Sequence, residues 1–353
     1  MSHFCLLRDP DNYVAQDYDL VKDAESRNYW LDLFEKHFDD ALRHAEKQYG
    51  SVAQIEQARE EFKENIRRLR EKPDALGDRL NVLELCRLRE KALRDNGLHD
   101  PYAHIKKREN DAAAKMYPQA VRELHAMGGD EKWIHLIERI FAGNIFDLGS
   151  PATMDLADES PDFNDALENV KPRPWLVDDL DRLLEDLPDA PPTKWSKAVV
   201  LVDNAGCDFI LGVMPLVREL AIYGTQVILA ANELPSLNDI TVDEMIEVVT
   251  GIAKRDPDLE ALVQAQMFEA VSTGCDTPLV DLSEVTDELN DAAADADLLI
   301  LEGMGRAVES NFDARFTVDT LKLALLKDPN VAAHIGGEVY DCVCKYEPAD
   351  DSG

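Results

Sequence analysis

The 353-residue chain is long enough for one large domain or two of ordinary size, and 45% of it is apolar, enough for a sizeable core. Lys and Arg total 37 against 71 Asp and Glu, a formal charge of −34 that repels nucleic acid and anionic membranes and reads first as a solubilising surface. No stretch approaches 18 apolar residues, no secretory pattern opens the chain, and the six cysteines lack zinc spacing, so a cytoplasmic protein with reduced thiols is expected.

Residues 1–150 read as a helical subdomain. Apolar spacing predicts a helix from Tyr18 to Tyr49, closed by Gly50, and a second capped by Ser51 and ending before Pro73. A third runs from Leu80 to Asn96, a fourth opens at Asp100-Pro101 and reaches Gly128-Gly129, and a fifth covers Trp133 to Phe141. Residues 151–196 are rich in Pro, Asp and Glu and read as a connector carrying one short helix, Leu176 to Leu187. Residues 197–353 alternate. Strands are predicted near 198–202, 226–231, 278–282, 297–301 and 338–345, with helices Phe209–Tyr223, Val242–Ala253 and Leu259–Ala270 between them. That alternation implies an α/β fold with a doubly wound, largely parallel sheet in a Rossmann-like three-layer arrangement. Such sheets bind ligands beyond the carboxyl ends of their strands.

The chemistry gathers at those ends. Val202-Asp203-Asn204-Ala205-Gly206 follows a buried β-branched run, and Asn238-Asp239 follows the next strand. Two carboxylates and an amide suit a hard or borderline divalent ion and leave positions for water and phosphate. The competing reading of Asp203-Asn204 is a helix N-cap. A nucleophilic aspartate of the haloacid dehalogenase type would want a second Asp two residues on, where this chain has Ala205.

Glu302-Gly303-Met304-Gly305-Arg306 follows another apolar strand. Its glycines would let backbone N–H groups approach a phosphate, and Arg306 could clamp it, against the alternative of a tight turn with a surface Arg. A dinucleotide fingerprint is incomplete because position 308 is Val. Lys322 falls in a stretch with helical spacing, where most lysines are solvated. Gly143-Asn144-Ile145-Phe146-Asp147 closes the helical half and either caps a helix or lends Asn144 and Asp147 to the cleft. Asp208 and Glu233 are candidate supporting or general-base groups.

Together the Val202–Gly206 segment, Ala231–Asp239 and the Glu-Gly-Met-Gly-Arg string resemble the metal-dependent damage-control phosphatase family, in its phosphopantetheine phosphatase subfamily. Cys86-Arg87-Leu88-Arg89-Glu90 and Ala142–Asp147 extend the likeness into the helical half; no kinase-like region is seen, which suits a stand-alone form. The resemblance implies metal ligation by Asp203, Asn204 and Asp239, and phosphate binding by Arg306 and Lys322, with Lys327 the nearby alternative. Glu302, Gly303 and Gly305 would line the substrate site. It also implies hydrolysis of small phosphorylated metabolites, such as 4′-phosphopantetheine, its oxidised forms or sugar phosphates, with Mn²⁺, Co²⁺, Ni²⁺ or Mg²⁺. Asp203 would be either a ligand only or also the nucleophile. The rival expectations are a non-catalytic phosphometabolite-binding module and a methyltransferase using the Gly-Met-Gly turn.

Overall fold

The computed structural model describes residues 1–77, 79–145 and 163–349. Its strands are β1 (Val177–Asp178), β2 (Lys197–Leu201), β3 (Gln226–Ala231), β4 (Phe268–Ser272), β5 (Leu298–Glu302), β6 (Asp319–Leu325) and β7 (Cys342–Glu347). They make one seven-stranded sheet in the order β1-β7-β6-β5-β2-β3-β4. All neighbours are parallel except β6 and β7, so the sheet is largely parallel, as expected. Strand order reverses between β2 and β5, which places a topological switch point at their carboxyl ends.

Successive side chains of a strand point to opposite faces. Val199, Leu201, Ile228, Ala230, Leu299 and Leu301 therefore face one core, and Ala198, Val200, Val227, Leu229, Leu298 and Ile300 the other. The first core is shared with α1 (Ala24–Tyr49), α2 (Val52–Glu71) and α3 (Val82–Asp95). The second is shared with α4 (Ala103–His125) and α5 (Gly129–Ile145), and with α8 (Met214–Ile222) and α9 (Val242–Ala253). The helical half thus divides between the two faces of the sheet. Residues after 162 in the acidic stretch add α6 (Phe163–Glu168), β1 and α7 (Leu180–Asp186).

Helix boundaries follow local chemistry. Asp23 accepts the N–H groups of Glu25 and Ser26 at the start of α1, and Gly50 ends that helix at φ 64°. Thr241 and Glu244 form a reciprocal capping box on α9.

Two expectations are corrected. Residues 278–282 form no strand: this apolar run is a buried loop over the sheet edge, begun by Pro278 and held by Phe4 N–H on Leu282 O at 2.8 Å. The strand lies earlier, at β4, which overlaps the end of the stretch predicted as a helix to Ala270. The real helix, α10 (Pro257–Gln264), stops sooner because Gln266 adopts φ 58°. The second correction concerns Lys322, which lies in strand β6 and not in a helix. Leu321, Leu323 and Leu325 alternate with Thr320, Lys322 and Ala324, the period of a strand, and put the leucines in one core while Lys322 points to the other face.

Candidate active site

The site is built where β2 and β5 end. Asp203 and Asn204 leave β2 just before a π-helical turn, Asp208–Val213, that leads into α8. Glu302 is the last residue of β5, and a second π-helical turn, Met304–Glu309, carries Arg306. Such turns place an extra residue in the helical ladder and recur at functional sites.

Asp203, Asp208 and Glu302 bring carboxylate oxygens within 4.8 Å of one another, all buried. Glu302 accepts the Asp203 backbone N–H at 2.9 Å and the Asn144 amide at 2.6 Å, so the end of α5 is tied to the end of β5. The same amide nitrogen donates to Asp208 at 2.8 Å. Asn204 donates to Asp203 at 3.1 Å and to Asp208 at 2.9 Å. Burial first, then the charges of Asp208 and Asp203, push the Glu302 carboxyl well above its ordinary range. Asp208 is pushed up to about 7, by burial and then by Asp203.

Arg306 is buried beneath the cleft, between Asp203 and Asp239. Its guanidinium bonds Asp203 on one side and Asp239 at 2.8 Å and Asn232 at 3.1 Å on the other. Burial alone would weaken its charge, and Asp239 and Asp203 outweigh that and hold it fully protonated. Backbone pairing fixes the spacing: Asn204 bridges Asp239, Ile240 N–H reaches Asp203 O at 3.0 Å, and Ala205 N–H reaches Asn238 O at 2.9 Å. Gly303, at φ 93°, passes so close that a Cβ would collide with the Asp203 carboxylate, and a Cβ on Gly305 would sit 2.6 Å from Pro278 O. These glycines bring backbone against backbone and carboxylate.

The helical half roofs the site. Trp30, Leu33 and Phe34 of α1 and Cys86 and Arg89 of α3 line the same cleft as Asp203, Asn204 and Asp239. Lys106 of α4 is wholly buried, with its ammonium 3.4 Å from Asp239 O, 2.8 Å from Glu244 and 3.0 Å from Asp100. Burial works against that charge, and Glu244 and Asp100 outweigh it.

A divalent cation fits this donor set. Three crowded carboxylates need positive charge, and the Asn144 carbonyl oxygen, buried beside them, has no hydrogen-bond partner among the described residues. Asp203, Asn204 and Asp239 face the open cleft, while Asp208 and Glu302 lie behind Asp203.

Of the residues singled out in the sequence, Asp203, Asn204, Asp239, Glu302, Gly303, Gly305, Arg306 and Asn144 come together here. Asp147 lies outside the described residues. Lys322 does not line the cleft: its ammonium donates to Phe312 O at 2.9 Å, Ala314 O at 2.7 Å and Glu347 at 3.1 Å. Lys327 does line it, beside Asp328. Glu233 is exposed. Sequence reasoning did not single out Lys327, Asp328 and Asn232 as a group. Asp328 caps α12 (Pro329–His334) just past β6, repeating the strand-end-to-cap signature that marks Asp203. Misreading β6 as helical hid it.

Among the described residues, no helix is long and apolar enough to cross a membrane. Residues 30–343 match the damage-control phosphatase ARMT1-like domain. A damage-control phosphatase of Arabidopsis thaliana is 38% identical over 90% of this chain and 87% of its own length. Mouse 4′-phosphopantetheine phosphatase is 32% identical over 97% of this chain but only 48% of its own length. Pantothenate kinase 2 of Arabidopsis thaliana is 38% identical over 98% of this chain and 42% of itself, so the chain spans under half of these longer relatives. A DUF89 family protein of Pyrococcus horikoshii shares the fold, with a TM-score of 0.60 at 18% identity, covering 89% of this chain and 96% of that one. With a family match across most of its length and this cluster at the switch point, the chain belongs to the damage-control phosphatase ARMT1-like family.

Proposed function

We propose that this protein is a metal-dependent phosphatase that hydrolyses phosphate monoesters of small metabolites, with 4′-phosphopantetheine, its oxidised or damaged forms, and sugar phosphates as the substrate class. The observation that carries the reading is the convergence of Asp203, Asn204 and Asp239 on one cleft at the switch point, with the buried Arg306 bonded to both carboxylates, in a chain of this family.

Asp203, Asn204 and Asp239 would hold the divalent ion, Mn²⁺, Co²⁺, Ni²⁺ or Mg²⁺, where it would also offset the crowded charge of Asp208 and Glu302; Glu302 holds the Asp203 backbone, Asp208 holds the Asn204 amide, and Asn144 ties Asp208 to Glu302. A bound ion supplies Lewis acidity at the phosphoryl oxygens and favours attack by water. Arg306 has donors enough to release one carboxylate and take a phosphoryl oxygen, so it neutralises charge that develops in the transition state. Lys327, on the same cleft, takes the second cationic role that the sequence had given to Lys322. The roof of α1 and α3 would exclude water from the reacting phosphate. Asp203 would lie nearest the phosphorus, as ligand and as candidate nucleophile. The reaction is monoester plus water to alcohol plus inorganic phosphate, and the proposed compartment is the cytoplasm.

The test is phosphate release from a metabolite panel with Mn²⁺. Activity should vanish with chelator and return with metal, and Asp239→Ala should lose on the order of a hundredfold or more. Full activity in Asp239→Ala would refute the site.

A further inference from the structure

Beside the active-site cleft lies a second cavity that the reading above leaves unused. The cleft over Asp203 encloses about 110 Å³ and the adjoining cavity about 320 Å³. Glu309 lines both, so one carboxyl group stands at the boundary between them. The cleft alone falls short of the roughly 300–1,000 Å³ usual for small-molecule sites, and the adjoining cavity brings the space into that range.

The outer wall is the N-terminal segment, with Tyr13, Val14 and Gln16. The inner wall is the chain after the second π-helical turn, with Ser310 and Asp313. The wall is fixed in place. Arg8 N–H bonds Arg315 O at 3.0 Å, and the Tyr13 hydroxyl donates to Asn311 at 2.7 Å. Gln16 is buried; its carbonyl accepts Val82 N–H at 2.7 Å and its amide reaches Glu309 at 3.3 Å. The family match begins at residue 30, so this wall lies outside the matched region.

The lining has a definite charge. Asp9, Asp17 and Asp313 face the cavity with Arg315 as the only lysine or arginine among its lining residues, and His334 stands 3.6 Å from Asp17; burial, then Asp328, pushes the Glu309 carboxyl up to about 8, so it adds a hydrogen-bonding group and not a charge. A second anionic group would meet like charge there. A neutral arm with amides or hydroxyls would find partners in Asn12 and the carboxylates.

We propose that this cavity receives the part of the substrate beyond the phosphate ester, and that it selects a neutral, hydrogen-bonding arm over one bearing a second anion. The proposal rests on the phosphatase reading.

The test uses the full chain with Mn²⁺ and three substrates: p-nitrophenyl phosphate, 4′-phosphopantetheine and fructose 1,6-bisphosphate. Val14→Trp fills the cavity from an exposed position that makes no side-chain hydrogen bond. It should raise KM for 4′-phosphopantetheine about tenfold and leave p-nitrophenyl phosphate unchanged. Asp17→Lys should shift the ratio of kcat/KM toward the bisphosphate at least threefold. Equal losses on all three substrates, or an unchanged KM for 4′-phosphopantetheine in Val14→Trp, would overturn the subsite while leaving the phosphatase reading intact. Wild-type protein that releases phosphate from none of them would overturn both.

Discussion

Replacing Gly303 by Ala should damage the metal site through a single methyl group. Gly303 has φ 93° and ψ 152°, a region almost confined to glycine that costs an L-residue about 1–3 kcal/mol. Its new Cβ would strike the Asp203 carboxylate, and overpacking of that kind costs about 1–3 kcal/mol. The backbone has little room to yield, because Gly303 N–H bonds Leu323 O at 3.0 Å and Ala307 N–H bonds Gly303 O at 2.9 Å. The sum is about 2–6 kcal/mol, or a fall in Tm of roughly 3–8 °C for a chain of this size. The assay is thermal unfolding of wild type and Gly303→Ala, each with chelator and with saturating Mn²⁺. Wild type should gain stability with the ion, and the variant should lose most of that gain because Asp203 has been displaced. Gly251→Ala is the control: its Cβ meets nothing within 4 Å on α9, so it should be neutral or stabilising by up to about 1 kcal/mol. A Gly303→Ala protein with wild-type Tm and a full Mn²⁺ response would refute both the close approach and the role of Asp203.

The two lysines separate by readout. Lys327→Ala should cut kcat/KM by about a hundredfold with little change in Tm, whereas Lys322→Met should cost about 1–3 kcal/mol of stability from the carbonyls it abandons while turnover stays within a few fold; the reverse pattern in a paired assay would return the phosphate role to Lys322. His44 offers a pH signature. Burial first, then nearby cations led by Lys47, push its imidazole down to about 4 from the ordinary 6.5. The neutral ring is favoured in the fold, so its contribution is present above about 6.5 and is lost as pH falls toward 4. The full shift would correspond to about 3 kcal/mol, and partial solvent exposure reduces that to about 1. Urea unfolding of wild type and His44→Gln at pH 7.5 and 4.5 should show a smaller loss in the variant; parallel losses would remove His44 from the account.

Much of the site was legible because strand ends and helix starts leave strong local marks. The β-branched run before Asp203 stops at a polar pair, and the Asn238-Asp239 pair repeats the device, so Asp203, Asn204 and Asp239, the three proposed ligands, stood out. What stayed hidden depends on contacts across the chain. Asp208 could be named, but its crowding with Glu302, 94 positions away in sequence, is a product of the switch point. Lys327 was named only as the alternative to Lys322; what separates the two is that β6 points Lys322 at the carbonyls of Phe312 and Ala314, a contact between segments that no local pattern encodes. The roof could not be read either: α1 and α3 show amphipathic faces, yet nothing local says that Trp30 and Cys86 look onto a carboxylate cluster. The cleft glycines were noticed for the right segment and a different reason, since their contacts are with Asp203 and Pro278.

The docked N-terminal segment also sets a timetable for the chain's synthesis. Phe4, Leu6 and Leu7 are buried against partners near residues 282–317, so they leave the ribosome about 300 residues before those partners. At ordinary elongation rates of roughly 5–20 residues per second, that is a wait on the order of 15–60 seconds with three large apolar side chains uncovered. Holding chaperones would find their clearest target at this end of the nascent chain, and slowing translation beyond residue 20 should increase aggregation more than slowing it beyond residue 317.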